Sequence, residues 1–250
     1  MADDRAPKGV VRVRAPNPSA LTLDGTNSYV TEGWVVDPGP LIEEHLAAIE
    51  RAAGSRGIEG IVLTHSHIDH SEGAEALAER AGGVPVVLPG GDGEVGPFRS
   101  IATPGHAPDH VSLLHGGVLF SGDTLLGAGS VFVGIGEGSM AHYLDALRRL
   151  LELDLEVICP GHGPFVWNPR ERLQEQLRHR LERERKVVEA IEAGARSLDA
   201  VLDTAWADTD LGVHPMRREA ARLPLEAHLV KLRDDGRLPA GAPQPRESFS

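Results

Sequence analysis

The chain has 250 residues, with 25 Lys and Arg against 37 Asp and Glu, a formal net charge of -12, and 41% apolar residues. That apolar content builds a substantial core and excludes wholesale disorder, while no run approaches the roughly 18 apolar residues that span a bilayer. The acidic start, Met1-Ala-Asp-Asp-Arg5, is neither a secretory nor an organellar leader, and the lone Cys159 excludes an intrachain disulfide framework, so a reduced, cytoplasmic setting is expected.

In chain order, Val10–Val13, Tyr29–Thr31 and Gly33–Val36 read as short strands, the third stopped by Asp37-Pro38-Gly39. Residues 41–53 have helical spacing. A pattern then recurs in which a short apolar run ends in a polar turn: Gly60 to His65, Ser100 to His106, Gly117 to Asp123, and Leu155 to His162. Residues 72–81 and 139–151 read as helices between these runs, and Gly91, Gly93 and Gly96 read as loop. Strands with interleaved helices and polar groups at strand ends describe a layered α/β protein, whose chemistry gathers on loops.

After Pro164 the texture changes. Asn168 as N-cap and Pro169 as first helical residue open a long charged helix, residues 169–193, with Leu173, Leu177, Leu181 and Val188 on one stripe. Its Arg178, Arg180, Arg183, Arg185 and Lys186 interleave with Glu171, Glu175, Glu182 and Glu184, which predicts a solvated, ion-paired helix. Residues 197–206 and 217–235 read as further helices joined by 208–215, with a loose tail from Pro239. The division expected is a catalytic domain over 1–166, a linking helix over 167–195, a small unit over 196–240 and a tail over 241–250. The first 166 residues hold 10 basic and 22 acidic side chains, so the acidic excess lies there and disfavours a general polyanion-binding face.

The sharpest chemical signal is Thr64-His65-Ser66-His67-Ile68-Asp69-His70. His65 and His67, two apart at the end of an extended run, point the same way; Asp69 and His70 diverge, which suits a second ion. His106, Asp123 and His162 each follow an apolar run. Seven donors exceed one tetrahedral zinc site. Two ions therefore fit: His65, His67 and His106 on the first, Asp69, His70 and His162 on the second, and Asp123 bridging. Imidazole and carboxylate without thiolate suit zinc, with manganese or iron as alternatives. Two such ions share a hydroxide as nucleophile and polarise the attacked oxygen, which makes a hydrolase without a protein nucleophile. Cys159, inside an apolar run, reads as packing. His45, His179, His214 and His228 read as surface or hydrogen-bonded core residues.

His65-x-His67-x-Asp69-His70, Pro104-Gly105-His106, Ser121-Gly122-Asp123 and Pro160-Gly161-His162, in that order over about residues 10–166, resemble the metallo-β-lactamase superfamily. The resemblance implies an αββα sandwich with the metal site along one edge. Leu21 to Tyr29, Thr103 to His110, Leu125 to Ser130 and Pro160 to Pro164 are similar to the β-lactamase-like protein 2 group. Members of that group carry a small C-terminal winged-helix-like domain, and its eukaryotic members are implicated in cleaving single-stranded RNA. Leu225–Leu238 resembles the helix and first wing strand of that unit. A lid shaping the metal cleft is the other reading of this segment. His110 resembles the second histidine of the family's Gly-His-x-x-x-His stretch, and with Asp69 it is the candidate for catalytic work beyond ligation. Asn27, Tyr29 and Ser130 are candidates for the cleft wall.

The chain lacks the glutathione-binding pattern of glyoxalase II, the export signal of secreted β-lactamases, the inserted domain of the large nucleases and the basic arm of transfer-RNA 3′-processing enzymes. Two substrate classes follow: single-stranded RNA, or an acyl thioester or ester on a carrier or small metabolite. A metal-stabilised binding protein without catalysis is disfavoured by the complete ligand set.

Overall fold

The computed structural model describes residues 5–209 and 215–246. Strands β1 (Val11–Arg14), β2 (Asn27–Thr31) and β3 (Trp34–Val36) lead to helix α1 (Glu43–Ala53), strand β4 (Gly60–Val62), helices α2 (Ile68–Ser71) and α3 (Ala74–Arg80), and strand β5 (Val86–Val87). Strands β6 (Gly93–Val95), β7 (Phe98–Ala102), β8 (Val111–His115) and β9 (Val118–Gly122) follow, then α4 (Met140–Leu151), β10 (Val157–Pro160), α5 (Pro169–Glu192), α6 (Leu198–Ala205) and α7 (Pro215–Asp234). No helix among the described residues is long and apolar enough to cross a membrane.

The alternation of side chains along each strand decides the layers. One residue of each pair faces a helix and its neighbour faces the other sheet. Val35 and Ile61 pack with Leu46 and Ile49 of α1 and Leu77 of α3. Val36 and Val62 point the opposite way and meet Phe98, Leu113, Phe120 and Cys159 of the second sheet. On that sheet Leu119 and Ile158 face outward to Leu144 and Leu147 of α4 and Leu173 of α5. The result is the expected αββα sandwich, with sheet orders β1-β2-β3-β4-β5 and β10-β9-β8-β7-β6. Cys159 lies buried between the sheets, as its apolar neighbours predict, and burial pushes its thiol far up.

Both sheets are mixed, and this aligns the strand ends. β3 and β4 run parallel, as do β9 and β10, while β7 is antiparallel to β8 and β8 to β9. The C-terminal ends of β7, β9 and β10 therefore share one edge of their sheet, and those of β3 and β4 share one edge of theirs. Val111 N–H donates to Thr64 O at 2.8 Å and Asn27 N–H to Gly161 O at 2.7 Å, lacing the two edges together.

Several expectations change. Gly93 begins strand β6, paired with β7, rather than lying in loop. β8 and the short α2 were not read from the sequence; α2 turns the second half of the histidine motif into a helix. Asn168 holds the N-cap position of α5 without a side-chain capping bond. The leucine stripe of α5 packs only in part: Leu173 is buried and Leu177 and Val188 are half-buried, but Leu181 is exposed, and Arg180, Arg183 and Glu184 are buried with Val187 and Ile191. Long side chains bury their stems and planar groups where carbonyls, rings and carboxylates receive them. Arg183 stacks on Trp206 at 4.5 Å and donates to Ala205 O and to Asp208 Oδ1. The solvated, ion-paired side is present too, in Arg185 with Glu182 and Glu189. Among the described residues no strand follows α7, so the wing strand expected there is absent; residues 235–246 form turns and coil. His45 is buried with Nε2 2.9 Å from Ser28 Oγ, and His228 is buried in α7. His214 lies outside the described residues, as does most of the joining segment after Thr209.

Glu184 ties α5 to α7. Its buried carboxylate accepts from Arg237 NH1 at 2.9 Å and pairs with Lys231 Nζ at 3.0 Å. Burial opposes its ionisation, but His228, 3.7 Å away, and Lys231 outweigh this and hold it down at about 2. A depressed carboxyl stabilises the fold above its ordinary pKa, and that contribution is lost as pH falls from near 4.5 toward 2. Glu184→Gln is expected to cost on the order of 3 kcal/mol at neutral pH and to flatten that acid limb, read by urea unfolding across this pH range.

Candidate metal centre

Each donor sits just past a strand end on the shared edge. His65 follows β4, His106 follows β7, Asp123 follows β9 and His162 follows β10; α2 supplies Asp69 and His70. All seven predicted ligands come together. His65 Nε2 and His106 Nε2 lie 3.0 and 2.9 Å from His67 Nδ1. In a second group His70 Nε2 and His162 Nε2 are 3.3 Å apart, with Asp69 Oδ2 3.4 Å from the latter. Asp69 and His70, expected to diverge, converge on His162 from α2, with 3.8 Å between Asp69 Oδ2 and His70 Nε2. Asp123 lies between the groups. Its Oδ1 is 3.5 Å from His70 Nε2 and 3.4 Å from His162 Nε2, and its Oδ2 is 3.7 Å from His106 Nε2.

The outer ring nitrogens are hydrogen-bonded, which turns the inner ones inward as lone pairs. His65 Nδ1–H donates to Thr64 Oγ1 at 3.0 Å, His106 Nδ1–H to Phe132 O at 2.8 Å, and His70 Nδ1–H to Asp37 Oδ2 at 2.9 Å. His67 Nε2 is 3.2 Å from Glu137 Oε2. His65, His70 and His162 are buried, whereas the side chains of His67 and Asp69 are 32% and 30% exposed, so the site opens on that side.

The charges suit cations. Burial, with repulsion from His70 and His110, drives His65 far below its ordinary range, and burial also lowers His106. These two are neutral donors. Burial opposes charge on His162 as well, but Asp123 and Asp69 push it up to about 10, and Asp123 and Asp37 raise His70. The carboxylates of the second group thus demand positive charge at the place where the nitrogens face one another. Asp123 Oδ1 is buried without a hydrogen-bond partner. Such an atom is costly unless a cation meets it.

Asp37 is the residue that motif reading missed. It stands in the left-handed region at φ 49, uncommon for a residue with a Cβ. There its carboxylate accepts from Thr64 N–H and Thr64 Oγ1–H, both at 2.7 Å, and from His70 Nδ1–H. Its signal was the Asp-Pro-Gly stop after β3, read only as a turn. His110 is not a proton donor to the cleft: its Nε2 accepts the Asp123 backbone N–H at 3.0 Å, and Nδ1 is 3.0 Å from Thr103 Oγ1. Asn27 and Tyr29 also face structure rather than cleft. Asn27 Nδ2 donates to Pro160 O and Gly163 O, and Tyr29 Oη to Pro160 O at 2.8 Å, pinning the turn that carries His162. A Cβ on Gly161 would stand 2.6 Å from His70 Cε1 and 2.7 Å from Asp123 Oδ1, so only glycine fits that turn.

A cleft of about 720 Å³ opens from His67, Asp69, His106, Asp123 and His162. Leu21, Leu23, Leu126, Phe132 and Trp206 line it, and α5 contributes His179, Arg180 and Arg183. His179, expected to be a surface or core residue, is exposed on this wall. Ser130 also lines it; the loop is held, with Ser130 Oγ donating to Gln176 Oε1 at 2.9 Å and Gln176 Nε2 to Gly129 O at 3.0 Å. Asp37→Ala, which removes no donor of the cluster, is expected to weaken metal affinity about 10- to 100-fold, measured by titration against a competing chelator. Gly161→Ala is expected to lower metal content by pushing His70 and Asp123 apart.

The family model described as "Metallo-beta-lactamase superfamily" matches residues 21–99 and 82–162. A "Beta-lactamase-like protein 2 homolog" of Drosophila melanogaster is 31% identical over 94% of this chain and 91% of its own length. An "Atrochrysone carboxyl ACP thioesterase" of Aspergillus fumigatus is 30% identical over 80% of this chain and 70% of its own. The crystal structure of a β-lactamase domain protein from Burkholderia ambifaria superposes with a TM-score of 0.76 at 21% identity, covering 94% of this chain and 90% of that one. The edge-on cluster of His and Asp between two sheets agrees with these likenesses, and the chain belongs to the metallo-β-lactamase superfamily.

Proposed function

We propose that this superfamily hydrolase cleaves acyl bonds, thioester or ester, with two divalent ions as cofactors. The observation that carries the reading is the cleft. Its walls beside the metal donors are largely apolar, with Leu21, Leu23, Leu126, Phe132 and Trp206, which suits an acyl chain. The thioesterase named among the relatives supports the same class.

His65, His67 and His106 would hold one ion, Asp69, His70 and His162 the other, with one oxygen of Asp123 toward each. Zinc is the expected metal and manganese or iron the alternatives. When bound, the ions supply Lewis acidity for the carbonyl and lower the pKa of water. The chain's own groups do the rest. Asp37 and Thr64 keep His65 and His70 aimed, and His110 orients the Asp123 backbone. The part-exposed Asp69 carboxylate, at the open side, accepts the proton of the attacking water. Leu21 and Phe132 exclude solvent from the acyl group. The helices after residue 167 wall this cleft, which favours a lid over a separate nucleic-acid module. A cytoplasmic setting remains part of the proposal, supported by the free thiol of Cys159.

The ribonuclease reading draws on the basic groups of the same wall, His179, Arg180, Arg183 and Arg217. A backbone of phosphates calls for exposed cations along a groove. Arg180 and Arg183 are buried, and with only His179 and Arg217 exposed these groups form no continuous track of exposed cations for a phosphate backbone, so the acyl reading is the stronger.

His67→Ala is expected to lose close to one metal equivalent and nearly all turnover of acyl thioesters, followed by a thiol-release assay with metal analysis. Asp123→Ala should deplete both ions; two retained metals at full rate would defeat the assignment. Acyl hydrolysis should change little between low and high salt, whereas binding of single-stranded RNA, if RNA is the substrate, should fall steeply.

A further inference from the structure

Arg180 is 5% exposed on α5 and lines the same cleft as the metal donors. Its guanidinium lies 5.3 Å from the Tyr143 ring centroid and donates to Val131 O. Its Nε is buried with no hydrogen-bond partner. Among the described residues it makes no ion pair. The other arginines along this face of α5 do: Arg172 with Glu175 at 2.7 Å and Arg183 with Asp208 at 2.9 Å. The nearest acids on its own helix pair elsewhere, Glu182 with Arg185 and Glu184 with Lys231 and Arg237.

A buried cation without an ion pair is costly unless an anion meets it. The cleft is where that anion can enter. Arginine's planar fork is matched to a carboxylate. We infer that Arg180 selects acyl substrates carrying a carboxylate at the far end of the acyl chain, and that its guanidinium binds that carboxylate within the cleft. This rests on the acyl-hydrolase reading above. The apolar wall would take the methylene chain between the reacting carbonyl, at the metal donors, and the terminal charge, at Arg180.

The test compares N-acetylcysteamine thioesters of hexanoate and adipate, which share a six-carbon chain and differ in a methyl or carboxylate end. They are hydrolysed by metal-loaded full-length protein, wild type, Arg180→Met and Arg180→Lys. The expected result is an adipoyl preference of about tenfold or more in kcat/KM, expressed mainly in KM. The ratio should fall to about one in Arg180→Met and be intermediate in Arg180→Lys, which keeps the charge without the fork. No adipoyl preference in the wild type overturns the inference. So does equal loss on both substrates in Arg180→Met, which would make Arg180 only a brace for Val131 O. Hexanoyl-coenzyme A places phosphate on the thiol side alone; a loss confined to that substrate in Arg180→Met assigns Arg180 to the leaving group and overturns it as well. If neither thioester is hydrolysed, the acyl-hydrolase reading fails by itself. Calorimetric titration of adipate against hexanoate then decides the anion site: adipate preference lost in Arg180→Met supports it, and equal affinities reject it.

Discussion

The carboxylate of Asp37 is the interaction on which the rest depends. It sits at the end of β3, accepts two hydrogen bonds from Thr64 at the end of β4 and a third from His70 on α2. Three donors on one buried carboxylate form a network whose loss leaves several polar groups unsatisfied at once. Through Thr64 it also reaches His65, whose outer nitrogen bonds the same hydroxyl. One side chain thereby orients donors of both groups, and it does so from a backbone conformation that residues with a Cβ seldom adopt. Strain at such a place is held because the surrounding bonds over-determine it.

The second constraint is electrostatic. Carboxylates of Asp37, Asp69 and Asp123 crowd against His70 and His162, and burial removes the water that would otherwise screen them. Positive charge is therefore built into the design of the cluster. The neutral first group and the charge-demanding second group differ for one reason, the number of carboxylates within reach. The same low-dielectric setting makes Arg180 consequential. On α5 Arg183, Arg185 and Lys186 use their cations on acids of the chain, whereas Arg180 has a carbonyl and an aromatic face.

The C-terminal helices are coupled to the histidine and aspartate cluster by backbone carbonyls. Gln176 and Arg180 hold Gly129 O and Val131 O, and the next carbonyl, Phe132 O, holds His106. The loop over residues 126–132 is thus fixed from behind by a helix and presents the cluster from its front. Hydrophobic packing of α5 with α6 and α7, through Val187, Ile191, Leu202 and Leu225, keeps that helix in place. A change in those helices would reach the cluster through the same carbonyls.

The seven clustered donors and the layered α/β class were legible in the residues because they are local: short apolar runs that end in a histidine or aspartate, and a dense histidine motif after one of them. Alternation within Val35–Val36 and Ile61–Val62 already assigns one face to a helix and one to the opposite sheet. What tertiary structure alone decided involves partners far apart in the chain. Asp37 looked like a turn residue until β4 ran parallel to β3 and brought Thr64 beside it. His110 could have supported the ligands or donated a proton, and the antiparallel β8 decided for support by placing its Nε2 under the Asp123 amide. The leucine stripe on α5 obeyed helical spacing and Leu173 is buried, yet Leu181 is exposed while Arg180 and Arg183 are buried. Periodicity reports hydrophobicity, and it is blind to a ring, a carbonyl or a carboxylate that another segment brings to meet a long polar side chain.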